Sequence, residues 1–112
     1  MAIHDQLTQV YNRNKFKEFI DSKTGAITKF TGLDISLLLI DIDFFKKVND
    51  EFGHESGDKV LIWLAGILKS NVRETDSVIR WGGEEFLVVM PGCSEDNAAR
   101  IAEKIRRKVE TS

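Results

Sequence analysis

Apolar residues recur along the chain in patterns that predict helices alternating with strands. After Asn12, a typical helix-capping residue, they follow a period close to 3.6, at Phe16, Phe19, Ile20, Ile27 and Phe30. Gly25 weakens this predicted helix, and residues 31–34 are predicted to form its exit loop. Residues 35–42 form a nearly continuous apolar run, which is typical of a strand covered on both faces. A helix is therefore expected to lead into a buried strand.

Two further helices are predicted in the second half of the chain. Residues 44–58 are polar and interrupted by glycines, and they end where a strong helix begins, over about residues 56–72. Ser94 is predicted to cap a last helix. The apolar stripes of these helices are Val60, Leu61, Leu64, Ile67, Leu68 and Val72 in the first, and Ala98, Ile101, Ala102, Ile105 and Val109 in the second.

Two strands are predicted between these helices, over residues 77–81 and 84–90. Only Gly82-Gly83 separates them, which indicates a hairpin, because both residues of such a tight turn can need positive φ. The predicted order α-β-α-β-β-α is most of a split β-α-β, ferredoxin-like unit with one strand missing at its end. This makes the fold class α+β, with an antiparallel sheet and helices packed on it. A length of 112 residues predicts one domain, residues 1–112.

Composition and charge narrow the class of protein. Apolar residues make up 42% and charged residues 30%, which excludes disordered and low-complexity chains. The net charge of −2 argues against a nucleic-acid partner. The longest apolar run is far too short for a membrane span, and the first residues lack the pattern of a signal peptide. The single Cys93 suits a reducing compartment. We expect a cytoplasmic domain with no membrane partner within this chain, which is compatible with a membrane-attached parent protein.

Acidic pairs mark the ends of two predicted strands. Asp41 and Asp43 close the first strand, where alternation places both carboxylates on one side, and Glu84 and Glu85 follow the Gly-Gly turn. Carboxylates at buried strand ends need compensation, commonly by a divalent cation, and oxygen-only ligands favour Mg²⁺ or Mn²⁺ over zinc. The alternative is that Asp43 and Glu85 cap turns or pair with neighbouring lysines. Both interpretations stay open on composition alone.

The residues after the first strand have the features of a phosphate site. Phe44-Phe45-Lys46 offers backbone N–H groups and an ammonium close to the acidic residues, which are recurring parts of triphosphate sites. Gly82-Gly83 permits close backbone approach from the opposite side. Each signal is weak alone, since a Gly-Gly pair is usually a turn and a Phe pair is usually core.

Four motifs in a fixed order give these signals a common interpretation. They are Asp-x-Leu-Thr-x-x-x-Asn-Arg at 5–13, Asp-x-Asp-x-Phe-Lys-x-x-Asn-Asp at 41–50, Phe-Gly-His-x-x-Gly-Asp at 52–58 and Arg-Trp-Gly-Gly-Glu-Glu-Phe at 80–86. Together they strongly resemble the GGDEF domain of diguanylate cyclases, in its Gly-Gly-Glu-Glu-Phe variant. The resemblance spans nearly the whole chain. It also implies that the C-terminal third of the domain is absent, so we expect little or no activity from these 112 residues alone.

The resemblance implies an activity and a set of site residues. Such domains condense two GTP molecules into cyclic di-GMP and release two pyrophosphates, with a fold similar to adenylyl cyclases and to the palm of polymerases. By this likeness the Asp41 and Glu84 carboxylates and the Ile42 carbonyl hold Mg²⁺ or Mn²⁺. Glu85 is a further ligand or helps to deprotonate the attacking 3′-hydroxyl, so Glu84 and Glu85 are the catalytic pair. The implied substrate-binding residues are Phe44, Phe45, Lys46, Asn49, Asp58, Gly82 and Gly83.

The same resemblance implies how the substrate is recognised and how activity is controlled. Asn49 and Asp58 are expected to recognise guanine, because a carboxylate accepts from the base N1–H and exocyclic amine, which adenine does not offer. Arg73 and Asp76 form an Arg-x-x-Asp motif at the family's offset from the Gly-Gly turn, which implies an inhibitory site for cyclic di-GMP. Catalysis is expected in a homodimer, since each domain holds one GTP. Asp5 is expected to tie the N-terminal segment to the core.

Two other classes of function compete with the cyclase interpretation. The first is a signalling module that binds GTP or cyclic di-GMP without turnover. The second is a receiver-like phosphoacceptor, because Asp-Ile-Asp at a strand end also suits phosphorylation. The Gly-Gly-Glu-Glu hairpin does not belong to a doubly wound receiver, which makes the second class improbable.

Overall fold

Helices and strands alternate along the described part of the chain. The computed structural model describes residues 2–20 and 35–111. The elements are α1 (Arg13–Ile20), β1 (Ile35–Asp41), α2 (Phe45–Phe52), α3 (His54–Asn71), β2 (Ser77–Arg80), β3 (Glu85–Pro91) and α4 (Glu95–Thr111). The predicted continuation of the first helix to residue 30, the effect of Gly25 and the exit loop over residues 31–34 lie outside the described residues. No helix in the described ranges is long and apolar enough to cross a membrane.

The described strands form an antiparallel sheet with β3 in the middle. β1 pairs with β3 from Ile35 opposite Pro91 to Asp41 opposite Glu85. β2 pairs with the other edge of β3, and the order of the three described strands is β1-β3-β2. The predicted α+β class and antiparallel sheet are therefore confirmed. The sheet brings the end of β1 and the start of β3 together, which are the positions of the predicted acidic residues.

The sheet separates two layers of apolar packing. Phe86, Val88 and Met90 point toward α3 and α4, where they pack with a buried set that includes Leu61, Leu64, Leu68 and Ile105. The alternate residues Ile79, Leu87 and Val89 pack with Phe19 of α1 on the opposite face. Because neighbouring side chains of a strand point to opposite faces, β3 is apolar along almost its whole length.

The prediction that β1 is covered on both faces is wrong. Leu38 and Ile40 pack against the α3 and α4 side, but Leu37 and Leu39 are each more than half exposed. β1 lies at the edge of the described sheet, and fewer side chains reach an edge strand than a central one. The continuous apolar run therefore predicted the strand correctly, but it did not predict that one face of the strand is exposed.

The polar segment over residues 44–58 contains a helix that the apolar pattern did not indicate. α2 spans Phe45–Phe52, and α3 begins at His54 rather than near residue 56. Only Gly53 separates the two helices, with φ of 90°, a conformation that favours glycine. Its N–H donates to the Asn49 carbonyl at 2.8 Å. α2 was missed because its inward face has few apolar residues, and Phe52 is largely exposed.

The turn between β2 and β3 is longer than the predicted two-residue hairpin. The N–H groups of Trp81 and Gly82 both donate to the Glu85 carbonyl, at 2.8 and 3.2 Å. Positive φ values were expected at Gly82 and Gly83, but neither has one. A Cβ at Gly82 would lie 2.8 Å from Oε1 at the flexible end of the Glu85 side chain, so Glu85 would have to shift.

Both predicted helix caps are confirmed. The Asn14 N–H donates to Oδ1 of Asn12 at 2.9 Å, and the Asn97 N–H donates to Oγ of Ser94 at 3.2 Å. These bonds satisfy amides that have no partner within the first turn of a helix. They define the starts of α1 and α4.

Candidate functional site

The predicted metal-binding residues lie at one end of the β1–β3 pair. Asp41 is directly opposite Glu85 in the strand register. The Ile42 N–H donates to the Glu84 carbonyl at 3.3 Å, which extends the contact one step beyond β1. Directly opposed residues share a face of an antiparallel pair, so Asp41 and Glu85 lie on the same face. Asp41 is exposed and both glutamates are half-buried, which leaves this end of the sheet open to a ligand.

Asp43 lies outside the strand that was expected to orient it. β1 ends at Asp41, and Asp43 belongs to the turn before α2. The prediction that strand alternation places Asp41 and Asp43 on one side is therefore wrong, because alternation holds only for extended backbone. Asp43 makes no ion pair with another described residue, so the alternative of a pairing with a neighbouring lysine is not seen.

A left-handed residue redirects the chain from the acidic end of β1 into α2. Phe44 has φ of 61° and a largely exposed side chain. This conformation costs a non-glycine residue about 1 kcal/mol or more. It starts α2 within four residues of Asp41, so the first-turn amides of the helix begin close to the strand end. Lys46 lies in that first turn with an exposed side chain.

The donor set fits Mg²⁺ of the type that binds together with a nucleotide. No group of three or more acidic, histidine or cysteine side chains within residues 2–20 and 35–111 forms a metal cluster. Mg²⁺ commonly takes only one or two protein carboxylates and completes its shell with water and substrate phosphates. Asp41, Glu84 and the Ile42 carbonyl are oxygen donors on adjoining backbone, so they suit this partial coordination.

The corner between α2 and α3 holds the two predicted guanine-recognition residues. The one-residue turn at Gly53 folds α2 back on the first turn of α3. As a result the half-buried Asn49 side chain lies against Gly57, which immediately precedes the exposed Asp58. No other described residue forms a side-chain hydrogen bond or ion pair with Asn49 or Asp58. Asp58 is thus open to solvent, and Asn49 is partly so.

The N-terminal segment is fastened to the Gly-Gly turn through Arg80. One guanidinium nitrogen of Arg80 donates to the Gly83 carbonyl at 2.8 Å, and another contacts the Asp5 carboxylate at 3.3 Å. The expectation that Asp5 ties this segment to the core is confirmed. The role of Arg80 was not predicted from the sequence. The spacing of Asp5 and Thr8, three residues apart, is typical of a turn and could have indicated that Asp5 lies in an ordered segment.

The environment of Asp5 favours its charged form. Burial alone would raise the pKa of the carboxyl group. Hydrogen bonds from the Thr8 hydroxyl at 2.7 Å and the Thr8 N–H at 2.9 Å, with the charge of Arg80, outweigh burial and lower the pKa of Asp5 below its ordinary value of 3.8. The carboxylate is therefore an ionised part of the fold over the physiological pH range.

The predicted inhibitory residues form a closed local pair. Both Asp76 oxygens accept from the Arg73 guanidinium, at 2.7 to 3.1 Å, and one also accepts the Arg73 N–H at 2.8 Å. The Asp76 side chain is fully buried, whereas Arg73 is exposed and also donates to the Pro91 carbonyl. A cavity of about 260 Å³ adjoins the pair and is lined in part by His4, Tyr11 and Lys69. The hydrogen bond to Asp76 raises the pKa of Arg73.

The fold and the four motifs together define the family of this domain. The family described as Diguanylate cyclase, GGDEF domain, matches residues 2–112, and the chain belongs to this family. The assignment made from the four motifs is therefore confirmed.

Comparison with individual proteins agrees with this assignment. The chain is 50% identical over 112 residues to the response regulator PleD of Caulobacter vibrioides, covering all of this chain and 24% of PleD. It is 42% identical over 106 residues to the diguanylate cyclase DosC of Escherichia coli, covering 95% of this chain and 23% of DosC. The chain thus spans about a quarter of these relatives.

A solved structure confirms the architecture. The GGDEF domain of DgcB from Caulobacter crescentus, in complex with c-di-GMP, superimposes with a TM-score of 0.88 at 33% identity. The match covers all of this chain and 65% of that one. The expected cyclase-like palm fold is confirmed.

Proposed function

We propose that this domain is the catalytic domain of a diguanylate cyclase, which condenses two GTP molecules into cyclic di-GMP and two pyrophosphates. The observation that carries the proposal is the meeting of Asp41 and Ile42 with Glu84 and Glu85 at one end of the β1–β3 pair. Membership of the GGDEF family and the likeness to DosC support it.

In this proposal Asp41, Glu84 and the Ile42 carbonyl hold Mg²⁺ or Mn²⁺. When bound, the cation neutralises phosphate charge and stabilises the charge that develops during phosphoryl transfer. Glu85 either adds a ligand or helps to deprotonate the attacking 3′-hydroxyl. Its position opposite Asp41, on the same strand face, is compatible with both roles.

The triphosphate is proposed to lie between the start of α2 and the Gly-Gly turn. Backbone amides of Phe44 and Phe45 and the Lys46 ammonium bind the β- and γ-phosphates, because the first turn of a helix presents N–H groups without intrahelical partners. Gly82 and Gly83 allow the opposite backbone to approach. Lys46 makes no ion pair with another described residue. Its charge therefore remains available to a phosphate.

Guanine is proposed to bind at the corner of α2 and α3. The Asp58 carboxylate accepts hydrogen bonds from the N1–H and the exocyclic amine of the base. The Asn49 amide forms hydrogen bonds with the remaining polar edge of the base. The support is that the Asn49 side chain lies against Gly57, the residue that directly precedes Asp58. Adenine leaves these polar groups unmatched, which is the physical basis of discrimination.

Catalysis is proposed to need two copies of the domain and to respond to its product. Each copy supplies one GTP, so two facing sites must meet before both 3′-hydroxyls reach an α-phosphate. Cyclic di-GMP is proposed to bind at Arg73 and Asp76, beside the cavity described above. The ligand would have to replace the Arg73–Asp76 hydrogen bonds, because both Asp76 oxygens are already occupied. The requirement for GTP favours a cytoplasmic location.

The test is release of pyrophosphate by the full-length protein supplied with GTP and Mg²⁺. Steady release that is lost in Asp41→Asn, and retained in the surface control Lys59→Ala on the outer side of α3, supports the cyclase. Tight GTP binding without pyrophosphate would instead identify a signalling module that binds nucleotide. Absence of both GTP binding and turnover would refute the proposal.

A further inference from the structure

Gly57 occupies the point of closest approach between α2 and α3. It is buried in the first turn of α3, and a Cβ built there would overlap Oδ1 of Asn49 and lie 2.9 Å from its Cγ. The same Cβ would lie 3.3 Å from Cζ of Phe45. Real Cβ atoms essentially never lie within 3.0 Å of another heavy atom, so any other residue at position 57 must displace the Asn49 side chain.

The contact fixes Asn49 from two directions. Its carbonyl accepts the Gly53 N–H at 2.8 Å, which sets the position of its backbone at the end of α2. Its side-chain oxygen lies against the bare Cα of Gly57, which limits the positions that the amide group can take. Gly53 and Gly57 therefore have different structural roles. Gly53 adopts the positive φ that the turn requires, and Gly57 leaves room for the Asn49 side chain.

We propose that Gly57 is a positioning residue for base selectivity, which acts by holding the Asn49 amide in place at the corner of α2 and α3. The inference rests on the proposed function, because it assumes that this corner receives guanine. It adds that selectivity depends on the absence of a side chain at position 57, as well as on the two polar residues that meet the base.

The chain offers a matched control in the same helix. Gly66 also lies within α3, but a Cβ there meets no heavy atom within 4 Å. Gly66→Ala and Gly57→Ala both gain the helix propensity of alanine. Only Gly57→Ala adds the steric conflict with Asn49. A difference between the two variants therefore reports the contact rather than the general effect of replacing glycine in a helix.

The experiment measures GTP and ATP affinity by calorimetry with Mg²⁺ for the full-length protein. The variants are Gly57→Ala, Gly66→Ala, Asn49→Ala and Asn49→Ala combined with Gly57→Ala. We expect Gly57→Ala to weaken GTP binding about tenfold and to narrow the GTP/ATP ratio, because a misplaced amide leaves a polar edge of the base unpaired. Gly66→Ala should match the wild type. In the Asn49→Ala background, Gly57→Ala should have no further effect on affinity.

The outcomes separate this inference from the proposed function. If the wild type binds GTP selectively and Gly57→Ala does so equally well, the positioning role is refuted and the proposed function stands. An equal loss with and without Asn49 would also refute it, because the effect would not pass through that amide. If the wild type binds no GTP or shows no preference over ATP, the proposed function itself fails. Melting temperatures of the same variants then still test the packing, since Asn49→Ala should relieve the conflict caused by Gly57→Ala.

Discussion

The Asp5–Arg80 contact should stabilise the domain more than a shorter ion pair on its surface. Asp5 and Arg80 are 3.3 Å apart, and their side chains are only 19% and 21% exposed. Arg106 contacts Glu110 at 2.7 Å, but its side chain is 59% exposed. By distance alone, the Arg106–Glu110 pair would be expected to stabilise the domain more. Burial reverses this expectation, because water screens an exposed ion pair and weakens it.

The expected loss for Asp5→Ala is about 2 kcal/mol. The substitution removes two hydrogen bonds to Thr8 that resemble a helix cap, worth about 1 kcal/mol together. Loss of the half-buried ion pair adds about 1 kcal/mol, since the Arg80 guanidinium keeps only its bond to the Gly83 carbonyl. For a domain of this length, 2 kcal/mol corresponds to a fall in melting temperature of about 8 °C.

Urea denaturation followed by circular dichroism measures these differences. A double-mutant cycle with Asp5→Ala and Arg80→Ala should give a coupling energy of about 1 kcal/mol. The exposed control Arg106→Ala should change the free energy of unfolding by less than about 0.5 kcal/mol. Additive effects of Asp5→Ala and Arg80→Ala, or a control as destabilising as Asp5→Ala, would refute the argument from burial.

Three further results are expected. Because the pKa of Asp5 is lowered in the fold, the ionised carboxylate adds to the free energy of unfolding above pH 3.8, and this stabilisation is lost as the pH falls through the folded-state pKa. In urea titrations at several pH values, Asp5→Asn should make the free energy of unfolding less dependent on acid pH. Phe44→Gly should raise the free energy of unfolding by about 1 kcal/mol in the same titrations, by relieving the left-handed conformation of an exposed side chain. Arg73→Ala should abolish calorimetric binding of cyclic di-GMP while sparing GTP; loss of both ligands would contradict separate sites.

Sequence patterns predicted the elements that have a clear apolar pattern. α3 and α4 were found close to their observed bounds because each buries a regular apolar stripe, and β3 because its apolar run is nearly continuous. α2 was missed because half of its eight residues are charged and its apolar residues are few. The exposure of Leu37 and Leu39 was not predicted, since an apolar run does not reveal what packs on each face of the strand.

The sequence predicted which residues form the candidate site better than it predicted how they are arranged. The motifs indicated Asp41 and Glu84, and the strand register brings their segments together. The roles of Arg80 and Gly57 were not indicated. Both depend on how segments pack: Arg80 bridges the distant Asp5 to Gly83, and Gly57 touches Asn49 only because the chain turns at Gly53. Such contacts follow from tertiary packing, which local spacing does not encode.

The most direct test of the central claim is the identity of the product formed from GTP by the full-length protein with Mg²⁺. Chromatography with mass detection should show cyclic di-GMP, one molecule for every two GTP consumed, in the wild type. Asp41→Asn and Glu84→Gln should form none, because each removes a proposed ligand of the cation. GTP that remains intact, or that is converted only to GDP or GMP, would contradict the assignment of this domain as a cyclase.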